Sequence, residues 1–560
     1  MNMRKDEADK HEASSQKKDT LSSSLLSEPC SEESTPWMTL VAFAALGVSL
    51  FLVALDTVLI PTSLPTISLS FHIDDTIYAW IGSSYLLANA VSIPCWGKLS
   101  DIFGRKSVLQ SANIVFLVGS ILCAVSLDAK MLVIGRTVQG LGGGGVVVLV
   151  HVCVSDLFNI RDRSFYLGIL GGIWAVASAL GPVLGGMFAQ RLSWRWCFYI
   201  NLPIISSSIV VGFFALQFHN PRTDSLVGLA SMDWLGILTI LCATLLFLVG
   251  LQLGNSASYT SPLVITMIVL GVLAFITFPL TQWWAAKRKR SPIMPLHIFR
   301  NLNNISALAV CACDALVFNS IAYFLPLYFQ IVLDKTPSMA GVLMLAIAIP
   351  LATISFISGH IIEQTGRFLE VLQCGLVFMT VGIGLLISLK LPPDLGRIIG
   401  FLLVIGIGFG PNFGAPLIAL QTQIEEKDIA TGTAVFGFIR MVSAAVGINV
   451  GQVVFQATLK PEYHNFIEAN LAADFARVLI SGEAVSQASA VKGLTNPQQI
   501  VIRKGFASAL RSMWILYTVV SAVGLCVSFG IKRARLHREP PNSIPGCTMK
   551  ETISLELSKE

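Results

Sequence analysis

Residues Gly97 to Lys106 read GKLSDIFGRK, a short charged segment punctuated by glycine, set between the apolar runs Ile77 to Trp96 and Ser107 to Ser126. A helix needs about 20 mostly apolar residues to cross roughly 30 Å of bilayer hydrocarbon, and both flanking runs are of that size. The segment therefore reads as a tight connection between two membrane helices, on the side of the bilayer where Lys and Arg collect. Gly97 and Gly104 allow sharp backbone turns, Asp101 can cap a short helix or pair with Arg105, and Lys106 adds a second positive charge.

Runs of the same size recur about fourteen times, from Met38 to Ile60 at one end to Met513 to Ile531 at the other. With 54% hydrophobic and 13% charged residues, the chain reads as a polytopic protein whose solvent is lipid. The runs are continuously apolar, without the alternation of lipid-facing strands, so helices are expected rather than a barrel. Lys and Arg favour the segments that face inward if both termini are cytoplasmic, most clearly at Lys287 to Arg290, whereas residues 61 to 76 and 255 to 261 carry neither. The net charge of +5 therefore reports topology. No base-reading or aromatic platform motif points to nucleic acid.

The expectation is an all-α membrane protein of two six-helix bundles with two extra helices between them. Residues 1–36 are expected to form a disordered, polar cytosolic tail, 37–218 the first bundle, and 219–303 a linker with spans seven and eight and the basic cytosolic loop. Residues 304–531 form the second bundle with a long outer loop at 459–512, and 532–560 a cytosolic tail. Within the loop, Asn465 to Ile480 has apolar residues at helical spacing and reads as a short surface helix. A duplication is visible in small residues, which set helix approach distance. Gly171, Gly181 and Gly185 have the mutual spacing of Gly437, Gly447 and Gly451, and Gly97, Gly104 and Arg105 that of Gly359, Gly366 and Arg367. Such a parallel repeat places a substrate site between the halves.

Ionisable residues inside the runs are the candidates for chemistry. Asp56 lies within the first; a lone charged carboxylate there costs several kcal/mol, so it must carry a proton, face a polar cavity or find a partner. A helix-end hydrogen bond near the outer interface is the competing reading, since Pro61 and Pro65 follow closely. Arg136 in the fourth run lies at comparable depth and needs a partner of its own. The two are expected to pair and to line the amino-terminal half of the cavity, with Gln139 adding a hydrogen bond; a purely structural ion pair is the alternative. Asp314, Asn319 and Arg440 are the deep polar candidates of the other half, and Trp174 is a candidate cavity aromatic. In the fifth run Gly181 and Gly185 permit close helix approach beside Gly186, while Pro182 removes one helical hydrogen bond.

Taken together, LDTVLIPTSLPTI in the first run, the Gly97–Lys106 loop, RTVQGLGGGG in the fourth, ALGPVLGG in the fifth and WRWCFYINLP at the sixth resemble the motifs of the major facilitator superfamily. The pattern is similar to that of fourteen-helix drug:proton antiporters common in fungi and covers roughly residues 38 to 535. The resemblance implies export of small amphipathic molecules, such as drugs, toxins or secondary metabolites, driven by a proton gradient with no cofactor. It also implies proton coupling at Asp56 and Arg136, a monomer, and residence in the plasma membrane or alternatively the vacuolar membrane. On the same scaffold the alternatives are an importer or vacuolar carrier of amino acids or siderophores, and a sensor that transports nothing. The GxGxxG match at Gly140 to Gly145 lies inside a membrane-length run with no preceding strand, and no GxxxxGK[ST] occurs, so neither a dinucleotide fold nor an ATP-driven pump is indicated. The cysteines lack metal-site spacing and read as small packing residues, and the sequon at Asn304 opens a span.

Overall fold

The computed structural model describes residues 36–71, 75–216, 231–256, 259–288, 290–389, 394–481, 491 and 494–536. The amino-terminal tail, apart from Pro36, and the last 24 residues therefore lie outside the described residues, as does Lys289 of the basic loop. The first half comprises α1 (Pro36–Phe71), α2 (Asp75–Phe103), α3 (Arg105–Ala124), α4 (Ala129–Leu157) and α5 (Ile160–Arg191), then α6 (Trp196–Tyr199) and α7 (Asn201–Ala215), which together make the sixth span. Helices α8 (Trp234–Ser256) and α9 (Pro262–Lys287) follow. The second half comprises α10 (Leu302–Leu327), α11 (Pro337–Thr365), α12 (Leu369–Leu386), α13 (Leu395–Asn412), α14 (Ala415–Gln421), α15 (Ile429–Leu459), α16 (Tyr463–Glu468), α17 (Ala473–Ser481) and α18 (Asn496–Ser528).

Thirteen spans among the described residues are long and apolar enough to cross a bilayer. Helix α2, at 29 residues, is long enough but less apolar, because it carries Ser84, Asn89 and Ser92, and these are buried inside the protein rather than offered to lipid. Several expectations shift. The first span does not end at Ile60 but continues as α1 to Phe71, and Gly97 makes no turn: it lies inside α2, so the expected Gly97–Lys106 loop narrows to a turn at Gly104. The run Ile398 to Leu420 is a broken span, α13 and α14, interrupted at Phe413–Gly414 just after Pro411. The last span starts well before Met513, since α18 begins at Asn496. There Thr495 and Gln498 form a capping box, with Pro497 in the first turn where its missing N–H costs nothing. Residues 459–512 are therefore largely helical where described, and Asn465 to Ile480 divides into α16 and α17, which bury Phe466, Leu471 and Leu479.

Hydrocarbon is as apolar as leucine, so membrane helices associate through close packing, and here glycine makes that possible. A side chain at Gly142 or Gly119 would collide with backbone across the α3–α4 contact. The repeat is visible in the same terms. Gly181 and Gly185 of α5 pack on Val58, Leu59 and Thr62 of α1, the first helix of their half. Gly447 of α15 packs on Leu316 of α10, the first helix of the other half, and Gly451 meets Phe324 of the same helix together with Tyr517 of α18. Gly171 faces Ser355 and Phe413 across the two halves, and Gly437 faces Ile93 and Val148 in the reverse sense. Gly97 of α2 abuts Ala434 of α15, and Gly359 of α11 abuts Ser164 and Phe165 of α5. Both turn glycines, Gly104 and Gly366, have positive φ, 86° and 67°. The echo Gly359–Gly366 thus occupies the position in its half that Gly97–Gly104 occupies in the first.

The inserted pair sits against the α2–α15 side. Leu248 of α8 packs with Leu87 and Ala90 of α2 and with Met441 and Ala445 of α15, and Asn255 donates to Asn449 at 2.6 Å. Asp233 caps α8 through Gly236 N at 3.0 Å and accepts from Gln282 of α9 at 2.8 Å.

Gly185 and Gly186 are neighbours with opposite surroundings: a Cβ on Gly185 would lie 2.5 Å from the Leu59 carbonyl oxygen, whereas one on Gly186 meets nothing within 4 Å. Gly185→Ala should destabilise the protein by about 1–3 kcal/mol through overpacking, and Gly186→Ala should be neutral or stabilising by up to about 1 kcal/mol. Thermal unfolding of the two variants in detergent checks the difference.

Candidate functional site

The structure brings Asp56, Arg136 and Gln139 together at the centre of the first half. Arg136 Nη1 donates to Asp56 Oδ2 and, at 2.7 Å, to Gln139 Oε1. Gln139 Nε2 donates to Asp56 Oδ1 at 2.9 Å and to Ser120 Oγ at 3.0 Å. Asn201, the first residue of α7, gives Asp56 Oδ1 a further donor at 3.3 Å. The Arg136 guanidinium lies over the Tyr85 ring, 4.2 Å from its centroid, and within 6.0 Å of the Phe198 ring. Helices α1, α2, α3, α4, α6 and α7 all contribute to this knot.

Each local feature has a backbone cause. Arg136 and Gln139 are three apart on α4 and so share a face. That helix is cut close by its glycines, with Gly135 against Cys123 of α3 and Gly140 against Tyr85 and Ala88 of α2, which lets long polar side chains meet in the interior. Asp56 and Arg136 are each 1% exposed. The expectation that they line an open cavity is thus not what this conformation presents; donors from α4 and α7 close over the carboxylate instead, and α2, α3 and α6 complete the cluster around Arg136 and Gln139. Among the atoms of the cluster, Arg136 Nε is buried with no hydrogen-bond partner. Tyr85, Ser120 and Asn201 were not singled out by sequence. Uncharged polar residues in a helix carry no signal of their own, although Asn201 lies within WRWCFYINLP.

The remaining candidates divide into two groups. Trp174 and Arg440 meet at the helix break in the second half: the Trp174 ring is 6.2 Å from the Phe413 ring. Arg440 donates to the Phe413 carbonyl oxygen at 3.2 Å and lies 4.1 Å from that ring's centroid. Asp314, on α10, is 4% exposed. Asn319 donates back to Ala315 of its own helix at 2.9 Å and is only half-buried. His151 of α4, which sequence did not flag, is half-buried opposite and within electrostatic reach of Arg440.

The Gly97–Lys106 segment, the end of α2, a turn at Gly104 and the start of α3, forms a latch. Arg105 donates to Asp101 Oδ1 at 2.6 Å and to Asp156 Oδ2 at 2.9 Å, and Asp101 Oδ2 accepts from Thr431 of the other half at 3.3 Å. Lys106 lies 4.8 Å from the Phe213 ring. Beside the loop is a second clasp that the sequence did not reveal. Gln421, at the end of α14, accepts from Arg163 at 3.0 Å and donates to Ser155 at 2.8 Å and to Thr433 at 3.0 Å, all four side chains being buried. Arg161 adds bonds to the carbonyl oxygens of Glu363 and Gln364. These contacts hold the halves shut at the end that carries the loop. Pro182 and Val183 approach Gly341 farther along the α5–α11 seam. A cleft of about 470 Å³ with Asp162, His360 and Glu363 among aromatic rings flanks the same seam, remote from Asp56.

A duplicated helical shell with a buried ion pair in one half and polar bonds between the halves is the architecture of a two-bundle membrane transporter. The chain belongs to the Major Facilitator Superfamily, whose sequence model matches residues 46–448. It is 43% identical over 486 residues to Efflux pump dotC of Dothistroma septosporum, covering 87% of this chain and 83% of that one. To the MFS-type transporter ppz2 of Metarhizium majus it is 38% identical over 531 residues, covering 95% and 91%. To the Acurin A biosynthesis cluster MFS-type transporter of Aspergillus aculeatus it is 33% identical over 504 residues, covering 89% and 90%. In fold it is similar to the human organic anion transporter MFSD10, with a TM-score of 0.57 at 13% identity, covering 88% of this chain and all of that one. The proton:xylose symporter XylE gives 0.55, also at 13% identity, covering 89% and 96%. The protein is a multi-pass membrane transporter.

Removing one member of a buried pair strands the other's charge. Arg136→Ala should therefore cost about 3–5 kcal/mol, and the double variant Asp56→Asn/Arg136→Ala less than the sum of the two singles. A double-mutant cycle of unfolding free energies in detergent measures this.

Proposed function

We propose that this protein is a proton-driven antiporter that expels small amphipathic organic molecules, secondary metabolites or toxins among them, across the plasma membrane. The single observation that carries the reading is the buried Asp56–Arg136 pair. A carboxylate held this deep has one inexpensive way to change state, which is to take up a proton. Protonation removes the Coulomb attraction to Arg136 and leaves the guanidinium to Gln139 alone.

With both termini cytoplasmic, the latched end of the molecule faces the cytosol. In the described conformation the cytosolic end is closed and Asp56 is paired. A proton arriving from outside would break the pair, loosen α1 against α4 and favour the conformation with the cytosolic end open. There the proton leaves, cargo binds, the pair re-forms and the latch closes again. Moving a two-state population from 1:99 to 99:1 takes about 5.5 kcal/mol. Unbalancing a buried pair changes the energy by about 3–5 kcal/mol, so the pair supplies most of the switch. Cargo recognition by Trp174, Phe413 and Arg440 fits a molecule with aromatic or apolar surface and few polar groups. The Aspergillus aculeatus relative, named for a biosynthesis cluster, supports a metabolite as cargo.

Inside-out vesicles containing the protein should accumulate fluorescent amphipathic dyes when their lumen is acidified, and Asp56→Asn should abolish that accumulation. Dye uptake unaffected by Asp56→Asn removes Asp56 from coupling. Accumulation only in right-side-out vesicles makes the protein an importer.

A further inference from the structure

The second half contains a charge arrangement that the Asp56 cluster does not use. Asp314 sits in the middle of α10 and is 4% exposed, and its Oδ1 has no hydrogen-bond partner. Among the described residues no cation lies within salt-bridge distance of it. This is the opposite of Asp56, whose two oxygens receive donors from Arg136, Gln139 and Asn201. An ionised carboxylate in that position bears its desolvation cost with no hydrogen bond at Oδ1 and no ion pair to offset it, only the charge of Arg440 at longer range, whereas a neutral carboxylic acid does not.

The groups around it narrow the choice of partner. Arg440 on α15 is the charged side chain that acts on Asp314, and the thiols Cys311 and Cys313 flank it on α10 itself. Helix α14 carries no titratable residue. On α13 the one charged side chain is Arg397, in the first turn, and on α11 His360 and Glu363 lie in the last two turns, on the α5 seam. On α18, which packs on α10 where Gly524 meets Cys313, the nearby Cys526 is exposed, and Arg503, Lys504 and Arg511 lie in the first half of that helix. Tyr517 donates to the Gly447 carbonyl oxygen. Arg440 is therefore the counter-charge available to Asp314, but in this conformation it is engaged elsewhere. It donates to the Phe413 carbonyl oxygen, which is free to accept because the helix is broken at Phe413–Gly414. Phe413 in turn packs against Gly171 and Trp174 of the first half, so its position reports how the two halves sit.

We propose that Asp314 is a second proton-binding site, in the carboxy-terminal half, with Arg440 as a counter-charge that changes hands during the cycle. The inference rests on the proton-coupled reading above for its role in transport. With the latch closed, Arg440 is held by the Phe413 carbonyl and Asp314 is neutral, carrying a proton on its carboxyl oxygen. When the first half moves off Phe413, the helix break shifts, the guanidinium transfers to Asp314, and the O–H proton passes to water in the opened cavity. Arg440 remains protonated throughout. Each cycle then moves a proton at Asp314 in addition to the one at Asp56.

Infrared difference spectroscopy of the full-length protein in liposomes, titrated from acid to alkaline pH, reads carboxyl protonation without needing the cargo. The wild type should show a protonated-carboxyl C=O band of low-polarity character that is lost as pH rises. Asp314→Asn should lack that band at every pH, and Asp314→Glu should restore it at a shifted frequency. Arg440→Gln should retain the band to higher pH, since the counter-charge that draws the proton off is gone. A band identical in wild type and Asp314→Asn overturns the proposal, because Asp314 is then ionised throughout. Asp56→Asn separates the two readings: it should leave the Asp314 band in place while abolishing gradient-driven dye accumulation. If that variant still accumulates dye, the Asp56 mechanism fails while the Asp314 assignment is judged on its own band.

Discussion

A carboxylate and a guanidinium that share a site with almost no water set the terms for the rest of this molecule. The Asp56–Arg136 pair is tolerable only because Gln139, Asn201 and Ser120 satisfy most of its remaining hydrogen-bonding groups and the Tyr85 ring faces the cation. Satisfying it requires side chains from nearly every helix of the first half. That requirement ties the half together as a unit and makes the loss of one charge a large perturbation, since it disturbs a network, and networks exceed the sum of their pairs.

The interface between halves has a different construction. Along α5 and α11 it is made of glycine and serine, Gly168 against Ser355 and Gly359 against Ser164, with Ser355 Oγ donating to the Gly168 carbonyl oxygen at 3.0 Å. Small side chains let the two backbones run this close along the seam. Specific polar bonds gather at the loop end, around Gln421, Asp101 and Arg161. A few such bonds hold one conformation by a modest margin and can be exchanged for contacts with water when that end opens. The rigid element is thus inside each half, and the reversible element lies between them.

Much of this was legible in the sequence because lipid imposes strict rules. Apolar runs of bilayer length gave the spans, and glycines at matched spacing gave the repeat, since a glycine that sets approach distance is hard to replace. Asp56 and Arg136 stood out because charge inside hydrocarbon is rare. The parts that were not legible depend on uncharged residues or on backbone conformation. Gln421 and Arg163 lie near span ends, where polar residues are ordinary, and nothing local says that they meet across 258 positions. The break at Phe413 follows Pro411 in the run PNFG, a signal outweighed by the continuous apolarity on both sides. Helix α18 begins in NPQQIVIRK, too polar for a hydropathy window, though Thr495 and Gln498 spell a capping box. Burial of Asp56 rather than its exposure to a cavity follows from Asn201 and Tyr85, and neither residue type announces itself.

The central claim is that protonation of Asp56 opens the latched end. Pulsed spin-label distances between the Gly97–Lys106 loop and the segment before α15, in lipid nanodiscs, test it most directly. The distance should be short at alkaline pH, lengthen on acidification, and be long at every pH in Asp56→Asn, the neutral mimic of the protonated state. A distance that ignores both pH and the substitution contradicts the account.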